Sequence, residues 1–334
     1  MVLDIILLVA SLLLILASCA VFVNAVEKIG ESFKLHQGIV GSILAAVGTA
    51  LPETIIPIIA IFFAPGKSGA AIGIGAIAGA PFMLGTLAFF ITGAAILVYA
   101  LFGKRTITMN VDLCNFKRDL RFFLVFYVVA VATTFFHDYL AVKIIVSAVL
   151  LAGYGYYLKR TVDCDCEAME NVDDLYMARF LKLSSNRFWI FGQVFLSLTL
   201  LVVGAHFFIQ NVQELSQAWG VAPLILSLII TPIATEMPEK LNSIIWVGKK
   251  KDTLALGNIT GAMVFQSCFP VVFGILFTSW DLRGVTMVSA VLALGSTLTI
   301  LLWIQVKKTL NPFVLLSGGV FYLLLFAFIM TNAR

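Results

Sequence analysis

Two short segments of this chain combine threonine, proline and glutamate in the same order. Residues 48–53 read Gly-Thr-Ala-Leu-Pro-Glu, and residues 234–239 read Ala-Thr-Glu-Met-Pro-Glu. Each segment lies inside a run of apolar residues that is long enough to cross a bilayer. A charged side chain near the bilayer centre costs about 2.5–3.5 kcal/mol on insertion scales, so Glu53 and Glu239 are expected to pair, face water or bind an ion.

In both segments the threonine and the final glutamate are four residues apart. Thr49 and Glu53 therefore share one helix face, and so do Thr235 and Glu239. Oxygen atoms that share one helix face suit a hard cation. The alternative is that each glutamate is a buried acid satisfied by hydrogen bonds alone. Two such residues at equivalent positions favour a shared ion site.

A proline precedes the final glutamate of each segment. Pro52 and Pro238 lack the N–H group that a helix requires, and each ring clashes with the carbonyl four residues earlier. The carbonyls of Gly48 and Ala234 are therefore expected to be released from helical hydrogen bonding. Carboxylates and free carbonyls together form the oxygen-rich set that hard divalent cations prefer. The pattern predicts a cation site that is built from two related halves.

The second segment carries two further charged residues. Glu236 and Lys240 are four residues apart, a spacing that suits an ion pair. The alternative is a lysine whose ammonium group extends to the membrane interface. If all four groups are ionised, Glu53, Glu236, Glu239 and Lys240 sum to two negative charges, which balances one divalent cation. Protons can replace the cation when it leaves, because burial and nearby like charges both raise the pKa of a carboxylate.

The composition is that of a multi-pass helical membrane protein. The chain has 334 residues, of which 61% are hydrophobic and 12% are charged, and its mean hydropathy is +1.04. A soluble domain could not cover so much apolar surface, and a membrane β-barrel would alternate apolar and polar residues. The first helix is expected to be retained, because no Lys or Arg precedes it as in a signal peptide. The apolar runs predict ten helices, at residues 2–26, 36–63, 68–102, 119–137, 139–158, 189–213, 221–248, 252–278, 283–306 and 311–331.

These helices divide into two halves of five. The predicted units are residues 1–158, a cytoplasmic linker at 159–188, and residues 189–334. Lys and Arg are concentrated in the loops after odd-numbered helices, so the positive-inside rule places these loops in the cytoplasm and both termini outside. Because five is an odd number, the halves enter the membrane from opposite faces and form an inverted repeat. The linker is acidic and is expected to be solvated, since its Cys164 and Cys166 are too few to define a zinc site.

The similarity between the halves extends beyond one motif. Residues 43–59 align with residues 229–245, which pairs the two threonines, the two prolines and the two final glutamates. One helix later, residues 75–80 align with residues 257–262, and both copies contain Gly-x-x-x-Gly. Taken alone, Gly-x-x-x-Gly is also typical of close helix packing.

The two Thr-x-x-Pro-Glu segments, each followed by a Gly-Asn-x-x-Gly-like helix, resemble the repeats of the sodium/calcium exchanger family within the cation/Ca²⁺ antiporter superfamily. The similarity covers residues 40–90 and 225–275. It implies two inverted five-helix repeats with an ion-binding core formed by the second, third, seventh and eighth helices. The first and sixth helices would slide or rock to alternate access. It also implies that Glu53 and Glu239 coordinate Ca²⁺, with oxygen atoms of Thr49 and Thr235 as further ligands.

Several positions depart from the family pattern. The serine that follows the family threonine is Ala50 in one half and Glu236 in the other, and a further polar position holds Leu84 and Gln266. Most of the missing oxygens belong, in the family, to sodium coordination, so Na⁺ coupling is expected to be weak or absent. The resemblance thus yields the following predicted metal ligands and two modulating residues: Glu53, Glu239, Thr49, Thr235, Glu236 and Gln266, with Lys240 and Asn258.

These features predict a secondary active antiporter that moves a divalent cation by alternating access. Ca²⁺ is the leading substrate, and Na⁺ or H⁺ is the expected counter-ion. Mg²⁺ or Mn²⁺ export by the same fold, and a channel or sensor on the exchanger scaffold, are the alternatives. An enzyme is not expected, because the chain has no His-Glu-x-x-His and no serine-hydrolase motif. We expect no cofactor and no nucleic-acid partner, and a location in the lipid bilayer of a prokaryotic plasma membrane.

Overall fold

A computed structural model describes residues 2–32, 51–64, 66–162, 174–181 and 187–332. All regular secondary structure in these ranges is helical, which confirms the predicted all-α class. The α-helices, in chain order, are α1 Val2–Ser32, α2 Leu51–Phe63, α3 Gly66–Met83, α4 Phe89–Leu101, α5 Leu113–Ala132, α6 Leu140–Val162, α7 Tyr176–Leu181, α8 Arg187–Trp219, α9 Pro223–Thr235, α10 Met237–Gly248, α11 Asp252–Gln266, α12 Phe269–Phe277, α13 Val285–Lys307 and α14 Pro312–Asn332.

The described residues contain eight helical stretches that are long and apolar enough to cross a membrane. Two shorter apolar helices, Pro52–Phe63 and Pro223–Ile233, accompany them. The protein is therefore an integral, multi-pass membrane protein. The two shorter helices belong to the predicted spans 36–63 and 221–248. Residues 36–50 of the first span lie outside the described residues, whereas the second span is divided into α9 and α10.

The long third helix stays continuous over Ser68–Leu101, which is 34 residues. A π-helical segment at Leu84–Ala88 joins α3 to α4 and begins three residues after Pro81. Because Pro81 cannot donate a backbone hydrogen bond, the helix is weakened at this point, and π-helical turns often form at such positions. The predicted span 68–102 is thus one continuous helix with a local change of helical type shortly after Pro81.

Two helices are longer than a bilayer requires. α1 has 31 residues and α8 has 33, whereas about 20 residues span the hydrocarbon core. They pack along each other, and a Cβ atom at Gly204 of α8 would lie 2.9 Å from Ile15 of α1. Together with α2 and one residue each of α3 and α9 they form what we call the lateral cluster. It contains the buried residues Leu8, Ile15, Cys19, Ile56, Ile59, Ala60, Ile72, Leu201, Ala205, Phe208, Ile209, Val212, Leu215 and Leu226.

A second and larger apolar core, the central cluster, is formed mainly by buried residues of α3 to α6 and α11 to α14, with Leu228 of α9. One buried ion pair ties two loops together at its edge. Arg105, after α4, contacts both carboxylate oxygens of Asp252, at 2.7 and 2.8 Å, and donates to the Val247 carbonyl at 2.6 Å. This bidentate contact holds the end of α4 against the junction of α10 and α11.

Candidate cation site

Helix α3 brings α2 and α9 together through glycines on two of its faces. A Cβ atom at Gly73 would lie 2.5 Å from Ile61 Cγ1 and 3.3 Å from the Pro57 carbonyl of α2. A Cβ atom at Gly79 would collide with the Leu228 carbonyl of α9 and lie 2.8 Å from Pro232 Cγ. Only glycine permits so close an approach of neighbouring backbones.

The first Gly-x-x-x-Gly copy, Gly75 and Gly79, is therefore a helix-packing contact. A Cβ atom at Gly75 would collide with the Leu224 carbonyl and lie 3.1 Å from Leu228 N. In addition, Ser227 of α9 donates a hydrogen bond to the Ile72 carbonyl of α3 at 2.8 Å. This packing places the C-terminal end of α9, where the second Thr-x-x-Pro-Glu motif begins, beside the glycine-rich part of α3.

Glu53 lies in the first turn of α2 and is buried, with 3% of its surface exposed. Its neighbour Thr54 is also buried. The carboxylate interacts electrostatically with the thiol of Cys19 on α1, so Glu53 lies where α1 and α2 approach each other. The described part of α2 begins at Leu51, so Pro52 lies in its first turn, and Gly48, whose carbonyl the proline was expected to release, lies outside the described residues. Thr49 lies outside the described residues.

The second motif contains a helix break, as its proline predicted. Helix α9 ends at Thr235, α10 begins at Met237, and Glu236 between them has φ −90° and ψ 0°. Pro238 cannot bond to the Ala234 carbonyl, and its ring excludes the regular helical geometry there. Thr235 Oγ1 donates to the Thr231 carbonyl at 3.0 Å. Discontinuous helices of this kind expose backbone groups that coordinate ions in transporters.

Glu236 and Lys240 form the predicted i,i+4 ion pair. Glu236 Oε2 and Lys240 Nζ are 2.7 Å apart, and the two side chains are 0% and 2% exposed. The alternative in which the lysine extends to the interface is therefore wrong. Glu236 Oε1 is buried and has no hydrogen-bond partner among the described residues. Within the described residues, lysine thus pairs with only one of the two oxygen atoms of this carboxylate.

Gln266 is the last residue of α11 and is 2% exposed. Its Oε1 atom is also buried without a hydrogen-bond partner in the described part of the chain. Pro270 follows four residues later and cannot donate to the Gln266 carbonyl. The equivalent Leu84 begins the π-helical segment and is buried. The helix is thus irregular at both equivalent positions, Leu84 and Gln266. Of the two residues, only Gln266 has a side-chain oxygen, and that atom has no hydrogen-bond partner among the described residues.

The remaining predicted residues are placed less completely. Glu239 lies in the first turn of α10, but its side chain is not among those described. Asn258 is half-buried on α11. Among the described residues, no group of three or more His, Cys, Asp or Glu side chains is arranged to hold a metal ion. The candidate site is therefore represented here by Glu53, Thr235, Glu236 and Gln266.

A buried carboxylate that the sequence did not single out lies on α5. Asp119 accepts a hydrogen bond from Thr260 Oγ1 of α11 at 2.8 Å and pairs with Arg118 at 3.0 Å. It was missed because the predicted helix began at residue 119, whereas α5 begins at Leu113. Asp112 is the N-cap, and its carboxylate accepts from two backbone N–H groups of the first turn. The known preference for aspartate at this position could have revealed the earlier start.

Comparison with known proteins identifies the family. A family model described as "Sodium/calcium exchanger protein" matches residues 3–161 and 189–333. The chain is 25% identical over 281 residues to the uncharacterized membrane protein MJ0091 of Methanocaldococcus jannaschii, which covers 83% of this chain and 82% of the relative.

Solved structures share the fold. The crystal structure of the H⁺/Ca²⁺ exchanger CAX has a TM-score of 0.72 at 13% identity, covering 98% of this chain and 82% of that one. The sodium-calcium exchanger NCX_Mj, soaked with Na⁺ and Sr²⁺, has a TM-score of 0.55 at 20% identity, covering 100% and 99%. Two matched segments that span almost the whole chain leave one conclusion: it belongs to the sodium/calcium exchanger protein family, and so to the membrane transporters rather than the enzymes.

Proposed function

We propose that this protein is a secondary active antiporter that carries a divalent cation, with Ca²⁺ as the leading substrate. Its coupling to Na⁺ is weak or absent, and H⁺ is the principal candidate for the counter-ion. Both solved relatives are exchangers whose names include calcium, one with H⁺ and one with sodium. Their names therefore support a divalent cation as the transported ion, and the counter-ion is a question for experiment.

The observation that carries this proposal is the unpaired Oε1 atom of the buried Glu236 at a helix break. A buried polar atom without a partner costs free energy, about 1–3 kcal/mol and more for a charged group. Such an atom persists where a ligand completes its coordination during function. Gln266 Oε1, at the end of α11, is a second buried oxygen atom without a hydrogen-bond partner among the described residues. The buried side chain of Glu53 adds further hard oxygen atoms.

The proposed ligand set follows the repeat. Glu53 and Glu239 supply the principal carboxylates, and Glu236 and Gln266 supply oxygen atoms from the second half only. Oxygen atoms of Thr49 and Thr235 complete the set. Hard oxygen ligands of this type bind Ca²⁺ in flexible geometry and Mg²⁺ or Mn²⁺ in more rigid octahedral geometry.

The proposed topology has ten transmembrane helices, both termini outside, and an inverted repeat made of residues 1–158 and 189–334. Residues 159–188 form the cytoplasmic linker. The distribution of Lys and Arg among the loops supports this orientation. The proposed location is the plasma membrane of a prokaryote.

Flux measurements on purified protein in proteoliposomes test the function. Vesicles loaded with Ca²⁺ are diluted into media that differ only in Na⁺ or in pH, and Ca²⁺, Mg²⁺ and Mn²⁺ are compared as external exchange partners. We expect saturable counter-transport of a divalent cation that continues when choline replaces Na⁺. Strict dependence of Ca²⁺ efflux on opposing Na⁺, without response to a pH gradient, would refute the proposed coupling. Non-saturating flux without counter-transport would indicate a channel.

The site is tested with Glu53→Gln and Glu239→Gln, each of which removes one charge and keeps the side-chain size. Each variant should lower the divalent flux at least about 10–100-fold, since even outer-shell partners of metal sites have effects of that size. Glu214→Gln, at an exposed position near the end of α8, is the matched control and should transport normally. Normal transport by both site variants would show that the central site is misassigned.

A further inference from the structure

The Glu236–Lys240 pair is a complete ion pair enclosed in the protein. The Nζ and Oε2 atoms are 2.7 Å apart, the distance of a strong charge-assisted hydrogen bond. Neither side chain reaches the surface. An ammonium group carries the same single charge as Na⁺ or K⁺, and it interacts with the same carboxylate oxygens at a comparable distance. Lys240 thus does for one carboxylate oxygen what a bound monovalent cation would do.

The repeat shows that this pair is an addition to one half. The residues equivalent to Glu236 and Lys240 are Ala50 and Thr54. The second half therefore contains one extra carboxylate and one extra ammonium group at membrane depth, and their charges cancel. The two carboxylates that the halves share, Glu53 and Glu239, keep a charge that matches one divalent cation.

We propose that Lys240 is a tethered monovalent cation that makes divalent exchange independent of dissolved Na⁺ or K⁺. The inference rests on the proposed function and names the residue that sets its ion requirement. The lysine neutralises Glu236 Oε2 permanently, while Glu236 Oε1 stays available to the transported cation. Removal of the ammonium group leaves a buried carboxylate without compensation, which dissolved cations of similar charge can then neutralise.

The test compares wild type with Lys240→Met, which keeps the length of the side chain and removes its charge. Divalent counter-exchange is measured in proteoliposomes with choline chloride alone, and with NaCl, KCl or methylammonium chloride at constant ionic strength. Wild-type rates should agree within about twofold in all media. Lys240→Met should lose about tenfold or more of its rate in choline, and a small monovalent cation should restore most of it.

A binding measurement gives a second readout that does not depend on flux. Na⁺ or K⁺ should raise the melting temperature of purified Lys240→Met, and of Lys240→Gln, relative to choline, but should leave wild type unchanged. In the double variant Glu236→Gln/Lys240→Met both charges are absent, so the stabilisation by Na⁺ should disappear again. Lys249→Met, on the exposed end of α10, is the matched control and should behave as wild type.

The outcomes separate the two proposals. Absence of divalent exchange in wild type under every condition would overturn the proposed function and, with it, this inference. Exchange in wild type, together with Lys240 variants that no monovalent cation rescues or stabilises, would overturn only the inference and leave Lys240 a structural partner of Glu236. The inference would also be overturned if Na⁺ stabilised the double variant as strongly as it stabilises the single Lys240 variants.

Discussion

The half-helices α2 and α10 occupy equivalent positions in the internal repeat, yet their matching faces have different surroundings. Ile55 and Ile59 of α2 correspond to Leu241 and Ile245 of α10. Ile59 is 5% exposed and, with Ile55, packs in the lateral cluster against α1 and α8. Leu241 and Ile245 are 51% and 49% exposed, and α10 packs mainly against α11 and α4.

Under the proposed inverted topology, α2 and α10 lie in opposite halves of the membrane. With that topology we expect the packed face of α2 on the outer side and the exposed face of α10 on the cytoplasmic side. Equivalent sequence does not impose equal burial here. The two half-helices have different neighbours, since α2 packs against α1 and α8, whereas α10 packs against α11 and α4.

Substitutions at the equivalent positions Thr54 and Lys240 are expected to differ most in their effect on the free energy of unfolding. Lys240→Met should lower the free energy of unfolding by about 3–5 kcal/mol in choline buffer, because a buried carboxylate loses its partner. Thr54→Val at the equivalent position should cost only about 1 kcal/mol, the value of one hydrogen bond. Urea unfolding in a neutral detergent measures both. Equal losses would show that the buried pair contributes no more than the hydroxyl group.

The glycines of the adjacent helices provide a second comparison between the halves. Gly75 is buried against the α9 backbone, whereas the equivalent Gly257 is exposed on α11. Gly75→Ala should therefore cost about 1–3 kcal/mol by overpacking. Gly257→Ala should change stability by less than about 1 kcal/mol, in the stabilising direction, because alanine favours a helix. Thermal unfolding of the purified variants measures both changes in stability. A larger loss of stability in Gly257→Ala than in Gly75→Ala would contradict the prediction.

Thiol accessibility tests the exposed face directly and has the smallest expected effect. In a background with the five native cysteines replaced, Leu241→Cys should react with a hydrophilic maleimide at least about tenfold faster than Ile55→Cys, because thiol reactivity follows exposure. Membrane-permeant and impermeant reagents applied from each side report the side of access. Faster labelling of Ile55→Cys would show that this face of α2, and not the matching face of α10, is the accessible one.

Local chemistry accounts for what could be predicted at the helix break. Pro238 predicted the division into α9 and α10, because a missing N–H and a ring clash act within one turn of helix. The spacing of Glu236 and Lys240 indicated an ion pair for the same reason. The family of the chain also followed from the motifs, and the family comparison confirmed it. Ten helices, the orientation and the complete ligand set stay predictions.

Features that depend on the neighbours of a residue could not be predicted in this way. The spacing of Lys240 fits both a buried pair and a lysine that reaches the interface, and only the packing around α10 distinguishes them. Asp119 was placed at a helix end, whereas its partner Thr260 lies on α11, 141 residues away. The contact of Gly75 and Gly79 with α9 likewise joins distant parts of the chain.

The sequence by itself determined where the membrane helices carry carboxylates, where proline interrupts them and which positions are repeated, because these properties depend on residue type and on spacing within a few turns. The tertiary structure alone decided which of the repeated faces is buried, which oxygen atoms remain without a partner and whether the lysine is enclosed. Burial and pairing depend on side chains supplied by other helices, and the same motif therefore acquires different surroundings in the two halves.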